Sequence, residues 1–179
     1  MYKRQLNDGD VVNIDVTLIL DGWHGDTSRM YSAGEPSIKS KNLINTTYDS
    51  LMLSLDMIKP GVLLGDLGSF IQNYAEDRNF SVVKEFCGHG IGRVFHDEPN
   101  ILHYGVEGSG IEIREGMFFT VEPMVNAGKP GTKMLPDGWT AVTRDRSLSA
   151  QFEHSIGVTA DGVEIFTKSH NNTGNPIAL

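Results

Sequence analysis

The alternation of apolar and polar positions near the start of the chain predicts a β-hairpin over residues 11–28, "VVNIDVTLILDGWHGDTS". The central "DG" is typical of a two-residue hairpin turn. With that turn Thr17 faces Asp26, and because side chains alternate with period two, Asp15 shares their face. The two acids are then diagonal neighbours that can converge on shared ions. A slip of one residue in the register would place the two acids on opposite faces. Two exposed acids on a polar sheet face are an equally good interpretation of the hairpin alone.

Helical periodicity follows the hairpin. One apolar stripe ends at the breaker "KPG", residues 59–61, and a second helix is predicted over residues 64–78. The stripes comprise Ile44, Tyr48, Leu51, Leu55 and Ile58 in the first helix and Leu67, Phe70, Ile71 and Tyr74 in the second. Short β-rich runs then predict strands over residues 81–87, 117–123, 151–159 and 163–167. The order of hairpin, two helices and several strands predicts an α+β fold.

Length and composition favour one domain and argue against several classes of protein. A single domain over residues 1–168 with a polar tail over residues 169–179 is the expected division. The formal net charge of −8, with scattered Lys and Arg, argues against a nucleic-acid-binding surface. The sequence has no run of about 18 apolar residues and no apolar signal segment, so we expect neither a membrane span nor secretion. With Cys87 as the single cysteine, a reducing cytoplasmic setting is expected.

Two further acids and one histidine stand out on the β-rich runs. Glu122 precedes Pro123 at a strand end, and Glu153 lies within a strand. Each alone is more often an ordinary edge residue, but four acids on β segments repel one another unless cations compensate their charge. His89 lies in "GHG", where the glycines leave its side chain approachable and permit positive φ angles. An oxygen-rich site with one imidazole suits Mn, Fe, Co or Zn.

The remaining histidines divide into one further site candidate and four structural residues. His96 follows His89 by seven positions and precedes "DEP", so it is a second candidate for the site. A lone histidine is usually structural, and this interpretation applies to His24, His103, His154 and His170.

Seven segments of the chain together resemble a known family. They are "VVNIDVT", "GDTS", "CGHGIG", "FHDEPNILHY", "TVEPMVNAG", "DGWT" and "RDRSLSAQFEHSIGVT". In this order they are similar to methionine aminopeptidase type I, of the pita-bread metallopeptidase family, and the match runs from about residue 6 to residue 167. The resemblance implies the pita-bread fold, which is of the α+β class.

The resemblance implies a site for two divalent cations, with Mn, Fe or Co expected and Zn as an alternative. The ligands it implies are Asp15, Asp26, His89, Glu122 and Glu153. In this arrangement Asp26 and Glu153 bridge the cations, His89 and Glu122 complete one of them, and Asp15 completes the other. The free amino terminus of the substrate would bind beside the cation that Asp15 holds.

The resemblance also implies an enzyme, a methionyl aminopeptidase that acts on peptides or nascent chains whose second residue is small. The cations would activate a water molecule and polarise the scissile carbonyl. Glu122 would handle the proton, and His96 would hydrogen-bond the substrate next to His89. The side chain of the first Met would enter a pocket to which Phe95 and Trp139 contribute.

The start of the chain departs from the family pattern. Members normally begin several dozen residues earlier, with helices, a strand beside this hairpin and a histidine that contacts the substrate amide. The chain is therefore expected to lack the N-terminal helices and first strand of the fold. The family implies a monomer, but an unpaired strand edge and an uncovered sheet face would favour self-association.

Three interpretations of function follow. The first is an active methionine aminopeptidase with weakened catalysis or altered specificity. The second is a catalytically weak or silent pita-bread module that binds peptides or partners. The third is a related dinuclear exopeptidase, such as a proline-directed enzyme, which the segments "CGHGIGRVFHDEP" and "SLSAQFEHS" disfavour. A complete set of five polar ligand residues favours the first.

Overall fold

A computed structural model describes residues 5–169 of the 179-residue chain. The predicted polar tail lies outside the described residues except for Ser169. Within the described range, no helix is both long enough and apolar enough to cross a membrane.

The described residues form two α-helices and a series of mostly short β-strands. The helices are α1 (Ile38–Met57) and α2 (Leu64–Glu76). The strands are β1 (Asp10–Leu20), β2 (Trp23–Ala33), β3 (Ser81–Val82), β4 (Gly88–Gly90), β5 (Asp97–Ile101), β6 (Phe118–Val121), β7 (Met124–Asn126), β8 (Thr132–Met134), β9 (Ala141–Thr143), β10 (Ser149–Gln151), β11 (His154–Val158) and β12 (Val163–Ile165). This order of elements confirms the α+β class predicted from the sequence.

Strands β1 and β2 form the predicted hairpin in the predicted register. Asp21 and Gly22 make the turn with φ angles of 51° and 81°, and a type I′ turn requires positive φ at both positions. Thr17 pairs with Asp26, so Asp15 lies on the same face as Asp26. The prediction that the two acids share one face is therefore confirmed.

The other face of the hairpin exposes apolar side chains. Ile14, Val16 and Leu18 alternate along β1, and each is exposed. Among the described residues β1 pairs with β2 alone, so its second edge is unpaired within that range. An open strand edge beside exposed apolar side chains is the type of surface on which the expectation of self-association was based.

Both predicted helices are confirmed, and the second ends two residues earlier than predicted. Helix α1 begins after Ser37, whose hydroxyl accepts the backbone N–H of Ser40 at 3.1 Å, and ends before Pro60. At the start of α2 the carboxylate of Asp66 accepts the N–H of Leu63 at 3.2 Å. The helix residues buried in the core include Leu43, Ile44, Leu51, Leu55, Leu67 and Ile71.

Two antiparallel sheets pack with the helices and place the hairpin against them. The larger sheet has the strand order β12-β11-β6-β4-β5, and the smaller has the order β10-β7-β3. Phe119 and Val121 of β6 belong to the same hydrophobic core as the helices, so Thr120, between them, points to the opposite face. The second hairpin strand, β2, packs against β10 and β11.

The strand predictions are correct in location but wrong in several boundaries. Only Ser81–Val82 of the run over residues 81–87 forms a strand, and the next strand is Gly88–Gly90. The run over residues 117–123 contains β6 and ends before β7, and the run over residues 151–159 contains β11 and only the last residue of β10. In both places the chain crosses from one sheet to the other, at residues 122–123 and 152–153. The short strands β4, β5, β7, β8 and β9 have no predicted counterpart. The pairing of β8 with β9, of β5 with β4 and of β7 with β10 defines these strands, and their local composition does not.

The close packing of α2 against the backbone of the segment around Tyr104 can be tested at Gly68. A Cβ atom at Gly68 would lie 2.4 Å from the carbonyl oxygen of Tyr104 and 2.7 Å from that of Leu102. In an exposed helix, Gly→Ala stabilises by roughly 1 kcal/mol. Here we expect Gly68→Ala to lower the free energy of unfolding by about 1–3 kcal/mol, because the backbone contact must open. Urea unfolding measures this change.

Asn73→Ala, at an exposed position of the same helix, is the matched control and is expected to leave stability unchanged or slightly higher. A Gly68→Ala protein at least as stable as the wild type would contradict the close approach of α2 to the segment around Tyr104.

Candidate metal centre

Two of the candidate acids lie where the chain crosses between the sheets. Glu122 follows β6 of the larger sheet and precedes β7 of the smaller one. Glu153 lies between β10 and β11, which belong to the same two sheets in the opposite order. At these crossings the backbone N–H groups do not take part in the strand pairing of either sheet. The N–H of Glu122 donates to Nε2 of His103, and the N–H of Glu153 donates to the carbonyl oxygen of Ser28, each at 3.0 Å.

Hydrogen bonds between β2 and the start of β11 hold Glu153 beside Asp26. The hydroxyl of Thr27 donates to the carbonyl oxygen of Glu153 at 2.9 Å. The hydroxyl of Ser155 accepts the N–H of Asp26 at 3.0 Å and donates to the carbonyl oxygen of the same residue at 2.7 Å. The hairpin strand that carries Asp26 is therefore fixed to the segment that carries Glu153.

His89 presents its Nε2 atom to the acids. Its Nδ1 atom lies 3.0 Å from the carbonyl oxygen of Gly90, which can only accept, so Nδ1 carries the proton. The free Nε2 atom lies 3.8 Å from Oδ2 of Asp26 and 3.6 Å from Oε1 of Glu122. Burial lowers the pKa of His89, which favours the neutral ring. A neutral histidine that donates its one N–H to a carbonyl oxygen and leaves its other nitrogen free is the usual form of a metal ligand.

The glycines beside His89 serve close packing and not backbone conformation. Gly88 and Gly90 both lack a positive φ angle, so the conformational freedom that the sequence permits here is not used. A Cβ atom at Gly90 would instead lie 2.2 Å from the carbonyl oxygen of Glu98. The residue must be glycine for β4 to approach this part of β5.

Asp26, His89 and Glu153 form a buried group of three side chains able to bind a metal. One donor atom of each lies within 4.8 Å of the others, and the residues are 5%, 7% and 2% exposed. Oε1 of Glu153 has no hydrogen-bond partner among the described residues. A buried carboxylate oxygen without a partner is costly, and a cation is the partner that would satisfy it. The donor set therefore fits a metal ion.

Glu122 is held at the edge of this group by three neighbours. The hydroxyl of Thr120 donates to Oε1 at 2.8 Å, and Nε2 of Gln151 donates to Oε2 at 3.3 Å. His103 accepts the backbone N–H as described above. Burial lowers the pKa of His103 to about 3, so its ring is neutral and Nε2 keeps the lone pair that accepts.

Asp15 lies on the exposed side of the cluster. Asp15 lies two residues before Thr17 on the same face of β1. On this face the hydroxyl of Thr17 donates a hydrogen bond to Oδ1 of Asp26 at 2.7 Å. Partial burial, followed by the negative charge of Asp26, raises the pKa of Asp15. The electrostatic influence of one acid on the other agrees with their placement on one face.

The cluster strongly disfavours negative charge in the absence of cations. Burial raises the pKa of Glu153 to about 10, and the charges of Glu122, Asp26 and Asp15 contribute further. Burial also raises the pKa of Glu122 to about 7, against the opposing effect of the hydrogen bond from Thr120. Both groups would hold protons at pH values at which an exposed glutamate has lost its own.

The predicted substrate residues divide into two that lie beside His89 and one that is exposed to solvent. The ring centroid of His96 is 4.4 Å from that of His89, and the ring of Phe95 is 5.5 Å from it at an edge-to-face angle. Trp139 lies in the loop between β8 and β9, where it is 88% exposed. Its side chain therefore faces solvent and does not line an enclosed pocket.

Several described residues that contact the cluster were not singled out by the sequence as part of it. They include Thr17, Thr27, Ser28, His103, Thr120, Gln151 and Ser155. The period-two spacing of Thr17 from Asp15 and of Thr120 from Glu122 is the one local signal that could have identified two of them. His103 was interpreted as structural, and its contact with the backbone of Glu122 depends on long-range folding.

Comparison with known proteins identifies the family. Residues 2–160 match the model of metallopeptidase family M24. The methionine aminopeptidase of Rickettsia prowazekii (strain Madrid E) is 60% identical over 174 residues, which cover 97% of this chain and 67% of that protein. The methionine aminopeptidase of Escherichia coli (strain K12) is 54% identical over 170 residues, which cover 95% of this chain and 64% of that protein. The chain thus spans about two thirds of the length of the curated relatives it matches.

Solved structures confirm the pita-bread fold of this family. The crystal structure of methionine aminopeptidase from Rickettsia prowazekii superposes with a TM-score of 0.89 at 62% identity, over 91% of this chain and 66% of that one. The prolidase from Pyrococcus horikoshii OT3 superposes with a TM-score of 0.71 at 22% identity, over 94% of this chain and 43% of that one, a likeness that concerns the fold alone. The chain belongs to metallopeptidase family M24, and within it to the methionine aminopeptidases.

Proposed function

We propose that the chain binds two divalent cations and removes N-terminal methionine from peptides or nascent proteins whose second residue is small. The buried convergence of Asp26, His89 and Glu153, with one glutamate oxygen that has no hydrogen-bond partner in the described part of the chain, is the observation that carries this proposal. The activity in the names of the 54–60% identical relatives supports it.

The proposed ligands are Asp15, Asp26, His89, Glu122 and Glu153. The four carboxylates carry four negative charges when ionised, and two divalent cations would balance them. A donor set of carboxylate oxygens and one imidazole nitrogen suits Mn, Fe or Co, with Zn as a further candidate. We propose that Asp26 and Glu153, which are the most buried acids of the set, bridge the two cations.

Bound cations of this kind lower the pKa of water and polarise a peptide carbonyl. The residues of the chain hold the reacting groups around that chemistry. The carboxylate of Glu122 is less buried than that of Glu153 and faces Nε2 of His89, so we propose that it takes and returns the proton during hydrolysis. Thr120 and Gln151 fix its two oxygens and so orient it for that role.

The substrate is proposed to lie over the aromatic residues next to His89. His96 is exposed and adjacent to the His89 ring, a position from which it can donate a hydrogen bond to a peptide carbonyl. Phe95 stacks on His24 with ring centroids 5.5 Å apart and offers an apolar surface for the methionine side chain. Trp139 would contribute only if its loop folds over the bound peptide. Because nascent chains are among the proposed substrates, we propose the cytoplasm as the location.

The charge compensation can be tested without turnover, in protein freed of metal by a chelator. Glu122 and Glu153 have raised pKa values of about 7 and about 10, against the ordinary 4.5, so the folded state binds more protons than the unfolded state between these values. The free energy of unfolding is therefore expected to fall as the pH rises from about 4.5 to about 10. Urea unfolding at a series of pH values measures this fall.

Glu153→Gln is expected to flatten the dependence between pH 7 and pH 10, because burial raises the pKa of Glu153 to about 10 and that of Glu122 only to about 7. Glu164→Gln, which changes an exposed acid of β12, is the matched control and should follow the wild type. An equal pH dependence in the wild-type and Glu153→Gln proteins would contradict the raised pKa of Glu153 in the cluster.

The proposed activity is tested by hydrolysis of a Met-Ala-Ser peptide in the presence of Mn or Co. The substitutions Asp15→Asn and Glu153→Gln each remove a proposed ligand and should reduce kcat/KM by at least about 10²-fold. Glu164→Gln should retain the wild-type value. Calorimetric titration with Mn should show weakened binding in the two ligand variants.

A folded protein that binds Mn but releases no methionine would contradict the proposed enzyme. The second interpretation, a module that binds peptides without cleaving them, would then be favoured. Release of methionine that is insensitive to both ligand substitutions would show that the activity arises elsewhere.

A further inference from the structure

Thr120 lies between two of the proposed ligands and contacts both. It is fully buried at the centre of β6, on the face that also carries Glu122. The backbone N–H of His89 reaches Oγ1 of Thr120 at 3.0 Å, and Oγ1 reaches Oε1 of Glu122 at 2.8 Å. One hydroxyl thus joins the strand that carries the imidazole to the carboxylate that faces it.

The direction of both hydrogen bonds follows from the donors available. The backbone N–H of His89 can only donate, so the hydroxyl oxygen of Thr120 must accept from it. The single hydroxyl proton is then directed to Oε1 of Glu122, which must present a lone pair. The one hydroxyl therefore fixes both the rotation of the Glu122 carboxylate and the distance between the His89 backbone and β6.

The sequence around His89 is adapted to this contact. A Cβ atom at Gly88 would lie 2.4 Å from the carbonyl oxygen of Thr120 and 3.1 Å from its Oγ1. Any larger residue at position 88 would therefore push β4 away from β6 and lengthen the bond from the His89 N–H to Thr120. The glycine that precedes the histidine is explained by its approach to Thr120.

We propose that Thr120 is a positioning residue, whose hydroxyl couples His89 to Glu122 so that both donor groups face the same cation. Oε1 of Glu122 and Nε2 of His89, which lie 3.6 Å apart, are the atoms whose separation this hydroxyl controls. The inference rests on the proposed function, since it assumes that these two residues bind metal. Thr120 itself contacts neither substrate nor cation in this role.

The test compares four proteins in which only the hydroxyl or the methyl group at position 120 changes. Thr120→Val replaces the hydroxyl by a methyl group, and Thr120→Ser keeps the hydroxyl and loses the methyl group. Thr120→Ala loses both groups, so the pair of Ser and Ala differs in the hydroxyl alone. Mn affinity by calorimetry and kcat and KM with a Met-Ala-Ser peptide are measured for each.

We expect Thr120→Val and Thr120→Ala each to weaken Mn binding by about 10–100-fold, the usual effect of removing a group that orients a metal ligand. The Ser variant should bind Mn as the wild type does. The loss of activity should appear in kcat, and KM should change little, because the hydroxyl acts on the proton-handling carboxylate and not on the peptide.

Thr47→Val is the control for burial. Thr47 is fully buried in α1, and its hydroxyl donates to the carbonyl oxygen of Leu43 at 2.8 Å, so its removal affects stability without touching the cluster. Thermal unfolding without metal is measured for all variants. Thr47→Val should unfold at a lower temperature and still bind Mn with wild-type affinity.

The results separate the two proposals. Equal Mn affinity in the Ser and Ala variants, or a wild-type affinity in the Val variant, would overturn the positioning role of Thr120. If the Val variant fails to fold, the comparison of Ser with Ala decides the same question. A wild-type protein that binds no Mn would instead overturn the proposed function on which this role rests.

Discussion

Mutual repulsion among four carboxylates on one largely buried surface is the constraint on which the rest of this structure depends. Among residues 5–169, the side chains shown to donate hydrogen bonds to these carboxylates are neutral, namely the hydroxyls of Thr17 and Thr120 and the amide of Gln151. Neutral donors orient a carboxylate without cancelling its charge, whereas lysine or arginine would cancel it. The arrangement fixes the direction of the oxygens and leaves the charge to be balanced by ions. Oε1 of Glu153, which no described residue hydrogen-bonds, shows this arrangement most clearly.

The topology explains how acids from distant parts of the chain meet. The two glutamates occupy the points where the chain crosses between the sheets, once in each direction. At a crossing, a residue is released from ladder pairing, and its N–H takes a partner from another element, as Glu153 does with Ser28. The hairpin is fixed to the second crossing through Ser155, which brings Asp26 to the same place. The site is therefore formed at a junction of three sheets, and it depends on each of them.

Local rules predicted the parts of the fold that local interactions determine. The "DG" turn set the hairpin register, and the helical stripes set α1 and α2, because turn geometry and side-chain periodicity are properties of neighbouring residues. The strand boundaries failed where the chain changes sheets, since a crossing is decided by partners far away in the sequence. Four of the candidate ligands stood out because acids in strands are unusual, His89 stood out between its two glycines, and the resemblance to the family joined them into one ligand set. His103 and Gln151 did not stand out, because an ordinary buried polar residue carries no local sign of what it contacts.

The glycines around His89 show the same limit most sharply. In the sequence, "GHG" permits positive φ angles, but neither glycine adopts one. Both are required because another chain segment passes where a Cβ atom would lie, the carbonyl oxygen of Thr120 for Gly88 and that of Glu98 for Gly90. The chemistry of a site is thus visible in the residue types that perform it. Its geometry depends on how closely backbones approach, and a glycine in the sequence shows only that space is needed, not what occupies it.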